Sequence, residues 1–520
     1  MKNFLRIVAF LLAFLMVSSI FVACNQKPDD TEGETTASVE TEKDVEDNAD
    51  DDAKETEASG TVTGDVTTEA VTESASKSKL KGNFGGAEYR ILGADSDELA
   101  FRDFEVDYDE IPQDVVGKAV WDRNVAIEED FGLEVVGNLI TSGVATEADR
   151  FIGAGDDQYD LIIAPNTSFL VMAKAGNLVN INKMPHIDFE MDCWNKSVND
   201  QFTYGNKMYY TANKFLLQEK HRTWMVWYNR DLAAELKVGY LEKEVFAGTW
   251  TMDRVIQIAR DTNANTDGKE GMTFSDRWGF VGADPYVFAQ LAYGAGFRLS
   301  TKGADGYPQL IGDTAEMLAI LDKVFILAGD RNMSFFSEYR LEADENEMDY
   351  GMGIFKDGRA VLMGETISYL EHVSELDFKY GALPNPKYDE KQANYISMPN
   401  KMNGHLFAVP VTVGDIEKAG FGLQAISEMS VDTSYKAYIE ERCKKQDAQD
   451  LDMSKCLGII FDGVAYDVAL IDNKELGTLM HTQLLFSGSN TFTRQYGNLR
   501  RPANTWLKKI KEAYEKHDAA

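Results

Sequence analysis

The chain has 520 residues, with 86 Asp and Glu against 52 Lys and Arg, for a formal net charge of -34. Such a length can bury a large core, and a hydrophobic content of 44% excludes wholesale disorder. The acid excess argues against a sequence-independent nucleic-acid binder and against docking on anionic lipid through a basic face. Four cysteines are too few for a disulfide scaffold.

Residues 1–24 have the pattern of an export signal. Lys2 and Arg6 form a basic start, and Ile7 to Ile20 is an apolar run broken only by Ser18 and Ser19. The run is short for a transmembrane helix. Small Ala23 directly before Cys24 resembles the lipobox of bacterial lipoproteins. That resemblance implies a diacylglyceryl group on Cys24 and a mature chain beginning there. Phe21 departs from the Leu usual three positions before that cysteine. An uncleaved anchor helix is the alternative. Each buried methylene contributes about 0.8 kcal/mol, so two acyl chains would hold the protein at a membrane.

Residues 25–82 read as a disordered acidic tether. Asp, Glu, Thr, Ser and Ala dominate, and no aromatic residue occurs from Asn25 to Lys81. Too little apolar area is available there to offset chain entropy. A flexible segment of this length reaches roughly 40 Å, and like charges extend it.

From residue 83 the pattern alternates between strands and helices. "AEYRILGA" (87–94) is a first strand, Val116 to Phe131 a helix stopped by Gly132, and "LEVVG" (133–137) a second strand. A helix follows over 145–154. "YDLIIAPN" (159–166) is an apolar strand, and 169–175 a short helix closed by Gly176. "TWMVWYN" (223–229) is a strand followed by a helix over 231–236. Thr251 is positioned to cap a helix through Ala259. "WGFVGAD" (278–284) feeds a helix over 286–293, and 313–327 is a further helix. "GRAVLMGE" (358–365) feeds a predicted helix over 366–376. "FKYGALPNP" (378–386) and "HLFAVPVT" (405–412) are strands, and the remainder is mostly helical. Apolar strands alternating with helices predict an open α/β sheet covered on both faces.

The order of these segments resembles the extracellular solute-binding proteins of ABC importers, the family that includes maltose-binding protein. The segments that carry the likeness are "YDLIIAPNTSFLVMAKAGNLVNI", "NKMYYTANKF" with "WMVWYNRDL", "TWTMDRVIQIARDTNANTDGK", "FKDGRAVLMGETISYL" and "YGALPNPKYDEKQANYIS". Together they span about 84 to 430, and their shared order is the specific part. The tail resembles that of carbohydrate-binding lipoproteins from anaerobic Gram-positive bacteria. The resemblance implies an α/β, two-lobed periplasmic-binding-protein-like fold of type II, with a hinge and a helical C-terminal extension. Lobe 1 would hold 83–222 and 381–520, lobe 2 would hold 223–380. The chain would cross near 217–226 and near 379–385. It implies a monomeric receptor on the outer face of the cell membrane, anchored at Cys24. That receptor would pass an oligosaccharide to membrane permease subunits, without enzymatic activity, cofactor or nucleic acid. A receptor for a peptide or polyamine, a surface glycan hydrolase and a ligand-presenting sensor remain as alternatives.

In open α/β sheets, ligands bind beyond the carboxyl ends of strands. Those ends nominate Asp95, Ser96, Asn166, Thr167, Asp284, Tyr286, Glu365 and Thr366, with Asn403 and His405 before the re-entering strand. Sugar hydroxyls need paired donors and acceptors, and the C–H face needs an aromatic plate. Trp224, Tyr286 and Tyr339 are candidate plates; Trp227 and Trp250 read as core. Asp231 and Asp253 read as helix-start charges.

Other chemistry lacks support. Six His residues form no zinc spacing. The calcium-like run Asp261-x-Asn263-x-Asn265-x-Asp267-Gly268 has no glycine at its sixth position and no glutamate at its twelfth, and reads as a polar turn. Cys193, Cys443 and Cys456 are expected as free thiols.

Overall fold

A computed structural model describes residues 80–95, 102–283, 285–337, 350–401, 404–444 and 451–517. Cys24, most of the expected tether, Ser96, Asp284, Tyr339 and Asn403 lie outside the described residues.

The strands form two five-stranded sheets. The first contains β1 (Ala87–Ala94), β2 (Leu133–Ile140), β3 (Leu161–Pro165), β4 (Tyr210–Thr211) and, from far along the chain, β12 (His405–Ala408). Its order is β2-β1-β3-β12-β4, with β12 antiparallel to β3 and β4. The second contains β5 (Trp224–Asn229), β6 (Trp278–Gly282), β9 (Phe335–Phe336), β10 (Ala360–Thr366) and β11 (Tyr380–Leu383), in the order β11-β5-β10-β6-β9. A hairpin of β7 (Ser300–Lys302) and β8 (Pro308–Leu310) stands apart.

Local chemistry accounts for the boundaries. The helix Val115–Phe131 starts where the Asp114 carboxylate accepts from the Gly117 amide, and it ends at Gly132 in the left-handed region. Gly176 ends Phe169–Ala175 in the same way. Thr251 stands at the cap position of Met252–Thr262, but its side chain makes no capping bond. The expected helix after β10 is instead two 3-10 turns, Ile367–Glu371 and Val373–Glu375.

The second sheet is buried on both faces, which explains its continuous apolar runs. Trp224, Val226 and Tyr228 of β5 enter one core cluster, while Met225 and Trp227 enter another. On β6, Gly279 lets the helix Met252–Thr262 approach closely. A Cβ there would come within 2.5 Å of the Ala259 Cα and 2.8 Å of the Ile258 carbonyl.

Two backbone segments join the sheets side by side. Trp224 N donates to Met398 O at 2.9 Å, Asn400 N donates to Arg222 O at 2.7 Å, and Thr223 pairs with Pro399. A third segment lies alongside: Ser397 N donates to Gly463 O, and Ala465 N donates to Ser397 O. The second crossing therefore falls at 397–400, because Tyr380–Leu383 is still the edge strand of the second sheet.

The tail is helical and packs with both sheets. Cys456, Leu470, Met480, Phe492 and Tyr496 join the second sheet's core, while Leu507, Ile510 and Tyr514 join the first. Cys193 is a free, buried thiol, and Cys456 is buried.

Gly279→Ala should destabilise the protein by about 1–3 kcal/mol, because the obstructing atoms are backbone and cannot rotate away. Urea unfolding measures this. An unchanged midpoint would contradict the close approach of strand and helix.

Candidate functional site

The two crossings bring the carboxyl ends of β3 and β10 into one hydrogen-bonded chain. Asn166, the residue after β3, donates its backbone amide to Gly404 O at 2.9 Å and its Nδ2 to Asn400 O at 3.4 Å. Asn400 N reaches Arg222 O, and Arg222 Nη1 donates to Ser368 Oγ at 2.9 Å. Ser368 Oγ meets Thr366 Oγ1 at 2.7 Å, and Thr366 Oγ1 donates to Glu365 Oε1 at 2.9 Å. Asn166, Glu365 and Thr366 are thus brought together as strand-end residues, with Thr167 half-buried beside Asn166. The Asn166 Oδ1 is buried and has no partner among the described residues, so it is an acceptor in want of a donor.

The other candidates are placed differently. Asp95 lies at the end of β1, 3.5 Å from Arg102, outside this chain of bonds. Trp224 is 1% exposed and packs inside the second sheet's core, its Nε1 buried without a partner among the described residues. Tyr286 opens the helix after β6, half-buried, with its ring 4.4 Å from that of His481. His405 is occupied within the first sheet, where its Nδ1 meets Asp103 Oδ1 at 2.5 Å.

Arg222, Ser368, Asn400 and His481 were not singled out from sequence. Arg222 lies inside the expected first crossing, so crossing position was a usable signal for it. His481 sits in a π-helical turn, Leu479–Gln483, in the tail, which strand-end reasoning does not reach. Such turns recur at functional sites.

One margin of the junction is a buried polar cluster. His221 joins Tyr438 Oη at 3.1 Å and Glu371 Oε1 at 2.7 Å. Burial opposes the charge on Glu371, but the His221 hydrogen bond and nearby positive charge outweigh it and hold the carboxyl below its usual range. Glu105 Oε1 accepts from Gln218 N, tying the segment after β1 to the first crossing. Burial and the neighbouring Asp103 push Glu105 well up. Burial lowers Arg123 to about 10. Its guanidinium donates to the carbonyls of Glu105 and Val106.

The opposite margin holds Lys401, Asp472 and His481. Burial lowers Lys401, and burial pushes His481 down to about 3 with help from the Lys401 charge. His481 is therefore neutral at physiological pH, and its Nε2 has no partner among the described residues. Burial raises Asp472 to about 8, against the pull of Lys401 and Lys174. No group of three metal-ligating side chains occurs among the described residues. The calcium-like run serves the fold instead: Asn263 Oδ1 accepts from Gly279 N, and Asp276 gathers the amides of Thr266, Asp267 and Thr273.

Solved structures share the fold. UspC from Mycobacterium tuberculosis aligns with a TM-score of 0.53 at 15% identity, covering 80% of this chain and 99% of that one. A cyclo/maltodextrin-binding protein complexed with maltotetraose aligns at 0.51 and 13% identity, covering 84% and 98%. UgpB from M. tuberculosis, in complex with glycerophosphocholine, aligns at 0.50 and 13% identity, covering 76% and 95%. The chain has the two-lobed periplasmic-binding-protein-like fold, with a helical C-terminal extension. No protein-family model matches it, and no curated protein matches it in sequence. The two sheets described above are the cores of the two lobes, and the chain of bonds from Asn166 to Glu365 lies where they meet.

The raised Asp472 carboxyl carries a pH signature. Its folded value of about 8 exceeds the ordinary 3.8, so its stabilising contribution is full below pH 3.8 and is lost as pH rises through 8. Asp472→Asn should match the parent near pH 3.5. At pH 9 it should be more stable, by on the order of 6 kcal/mol. Thermal unfolding at the two pH values measures this. Equal differences at both would contradict the buried, protonated carboxyl.

Proposed function

We propose that this protein is a lipid-anchored extracellular receptor of an ABC importer that captures a carbohydrate, an oligosaccharide, between its two lobes. The observation that carries this reading is the polar chain from Asn166 through Asn400, Arg222, Ser368 and Thr366 to Glu365. It supplies carboxylate, amide, guanidinium and hydroxyl groups at facing strand ends. Those are the groups that pair with sugar hydroxyls. The similarly folded maltodextrin-binding protein, whose structure contains maltotetraose, supports the choice of ligand class.

In this reading Asn166 Oδ1 accepts from a sugar hydroxyl, and Glu365 accepts from a second. The half-buried ring of Tyr286 offers an apolar plate for the C–H face of a sugar ring. Arg222 spans the crossing and orients Ser368. Cys24 carries the acyl anchor, and the acidic tether joins the lobes to it. Thr167, half-buried beside Asn166, completes the proposed lining. A membrane permease would receive the loaded form, and no bond is made or broken in the ligand.

Calorimetry against neutral oligosaccharides, with X-ray scattering to follow compaction, tests the ligand class. Binding should shrink the radius of gyration, and Asn166→Ala should weaken binding about tenfold, the loss of one well-made hydrogen bond. Binding of a peptide or polyamine in place of every glycan would overturn the sugar reading. Cys24→Ser should release the protein from the membrane fraction into the medium. Full retention of that variant would favour an uncleaved anchor helix.

A further inference from the structure

The long C-terminal helix Phe492–Lys516 has two opposed faces. Its buried residues, Phe492, Tyr496, Ala503, Leu507, Ile510 and Tyr514, fall on the side that packs against the lobes. Arg494, Arg501 and Lys508 repeat every seven residues, which is two helical turns, so they share the opposite side. Lys509 and Lys516 lie on the same outer side. All five are exposed. Arg494, Arg501, Lys509 and Lys516 have no ion-pair partner among the described residues, and Lys508 meets only Glu512, at 3.4 Å.

An exposed helix face usually mixes both charges. In a chain with 86 Asp and Glu against 52 Lys and Arg, such a face should lean acidic. This one leans the other way over about 37 Å, the length of 25 residues of helix. It also carries no exposed large hydrophobic residue. Protein interfaces are built around apolar or aromatic anchors. A convex basic stripe without an anchor fits a flat, diffuse anionic surface instead.

We propose that the outer face of Phe492–Lys516 docks on an anionic phospholipid bilayer. The whole-chain charge conceals this face, because the excess of acid lies elsewhere. The docking is electrostatic, so it weakens with salt. It does not depend on what the lobes bind. Docked this way, the protein would present one fixed side to the membrane.

The test uses the full chain on vesicles of phosphatidylglycerol or of phosphatidylcholine, at low and high salt. An amine-reactive reagent followed by mass spectrometry reads the reactivity of Lys508, Lys509 and Lys516, with exposed Lys237 as the reference. On phosphatidylglycerol the three stripe lysines should lose reactivity several-fold relative to phosphatidylcholine, and Lys237 should not. High salt should restore them, as should the double variant Arg494→Glu, Arg501→Glu. Because each lipid pair is compared with the same chain, an acyl anchor contributes equally to both. Sedimentation with both vesicles but equal lysine reactivity would overturn the stripe docking and leave the anchor standing. Sedimentation with neither would overturn both. Protection by soluble polyglutamate, without protection on phosphatidylglycerol, would assign the face to an acidic protein and overturn the bilayer.

Discussion

The structure depends on a few backbone hydrogen bonds between residues 222–224 and 397–400. Two separate sheets exist because the chain leaves the first after β4 and returns as β12. It can do so only where the outgoing and returning segments run together. Each bond contributes about 1 kcal/mol net, a modest sum. Their geometric effect is larger. They set the end of β3 against the end of β10, and they place Arg222 and Asn400 between them.

That position explains the site. Strand ends leave polar backbone and side chains facing outward, and the crossing makes two sets of strand ends face each other. Asn166 then lies one bond from Asn400, and Thr366 lies one bond from Ser368 and, through it, Arg222. The tail closes the arrangement from the side. Its π-helical turn sets His481 against Tyr286, and its last helix packs into the cores of both lobes. Burial without full pairing then raises Asp472 and lowers His481. A tail shared between lobes in this way ties their relative position to its own packing.

Much of the fold was legible in the sequence, for local reasons. Phe169–Ala175 was read to the residue, because Gly176 is a clear stop. The apolar strands β3, β5, β6 and β10 were visible because both faces of their sheets are covered. β4 and β9 are two residues long and carry no period to read. The helix expected after β10 became 3-10 turns, since its residues serve the crossing and the His221–Glu371 contact rather than a regular helical face. Of the residues gathered near the crossing, Asn166, Glu365, Thr366 and Tyr286 were reachable from strand ends. Asn400 and His481 were not, because they depend on pairings between residues far apart in the chain, and Arg222 was reachable only from its place in the expected crossing. Trp224 shows the opposite difficulty: an aromatic at a strand start has the same local pattern whether it faces a ligand or the core, and here it lies in the core.

The central claim is that a ligand lies between the facing strand ends at the crossing. A crystal structure of the protein with a bound oligosaccharide tests it most directly. The account predicts sugar hydroxyls within hydrogen-bond reach of Asn166 and Glu365, with a ring over Tyr286. Ligand lodged instead in the polar hollow of about 250 Å³ lined by Arg298, Ser300 and Lys302 would contradict it.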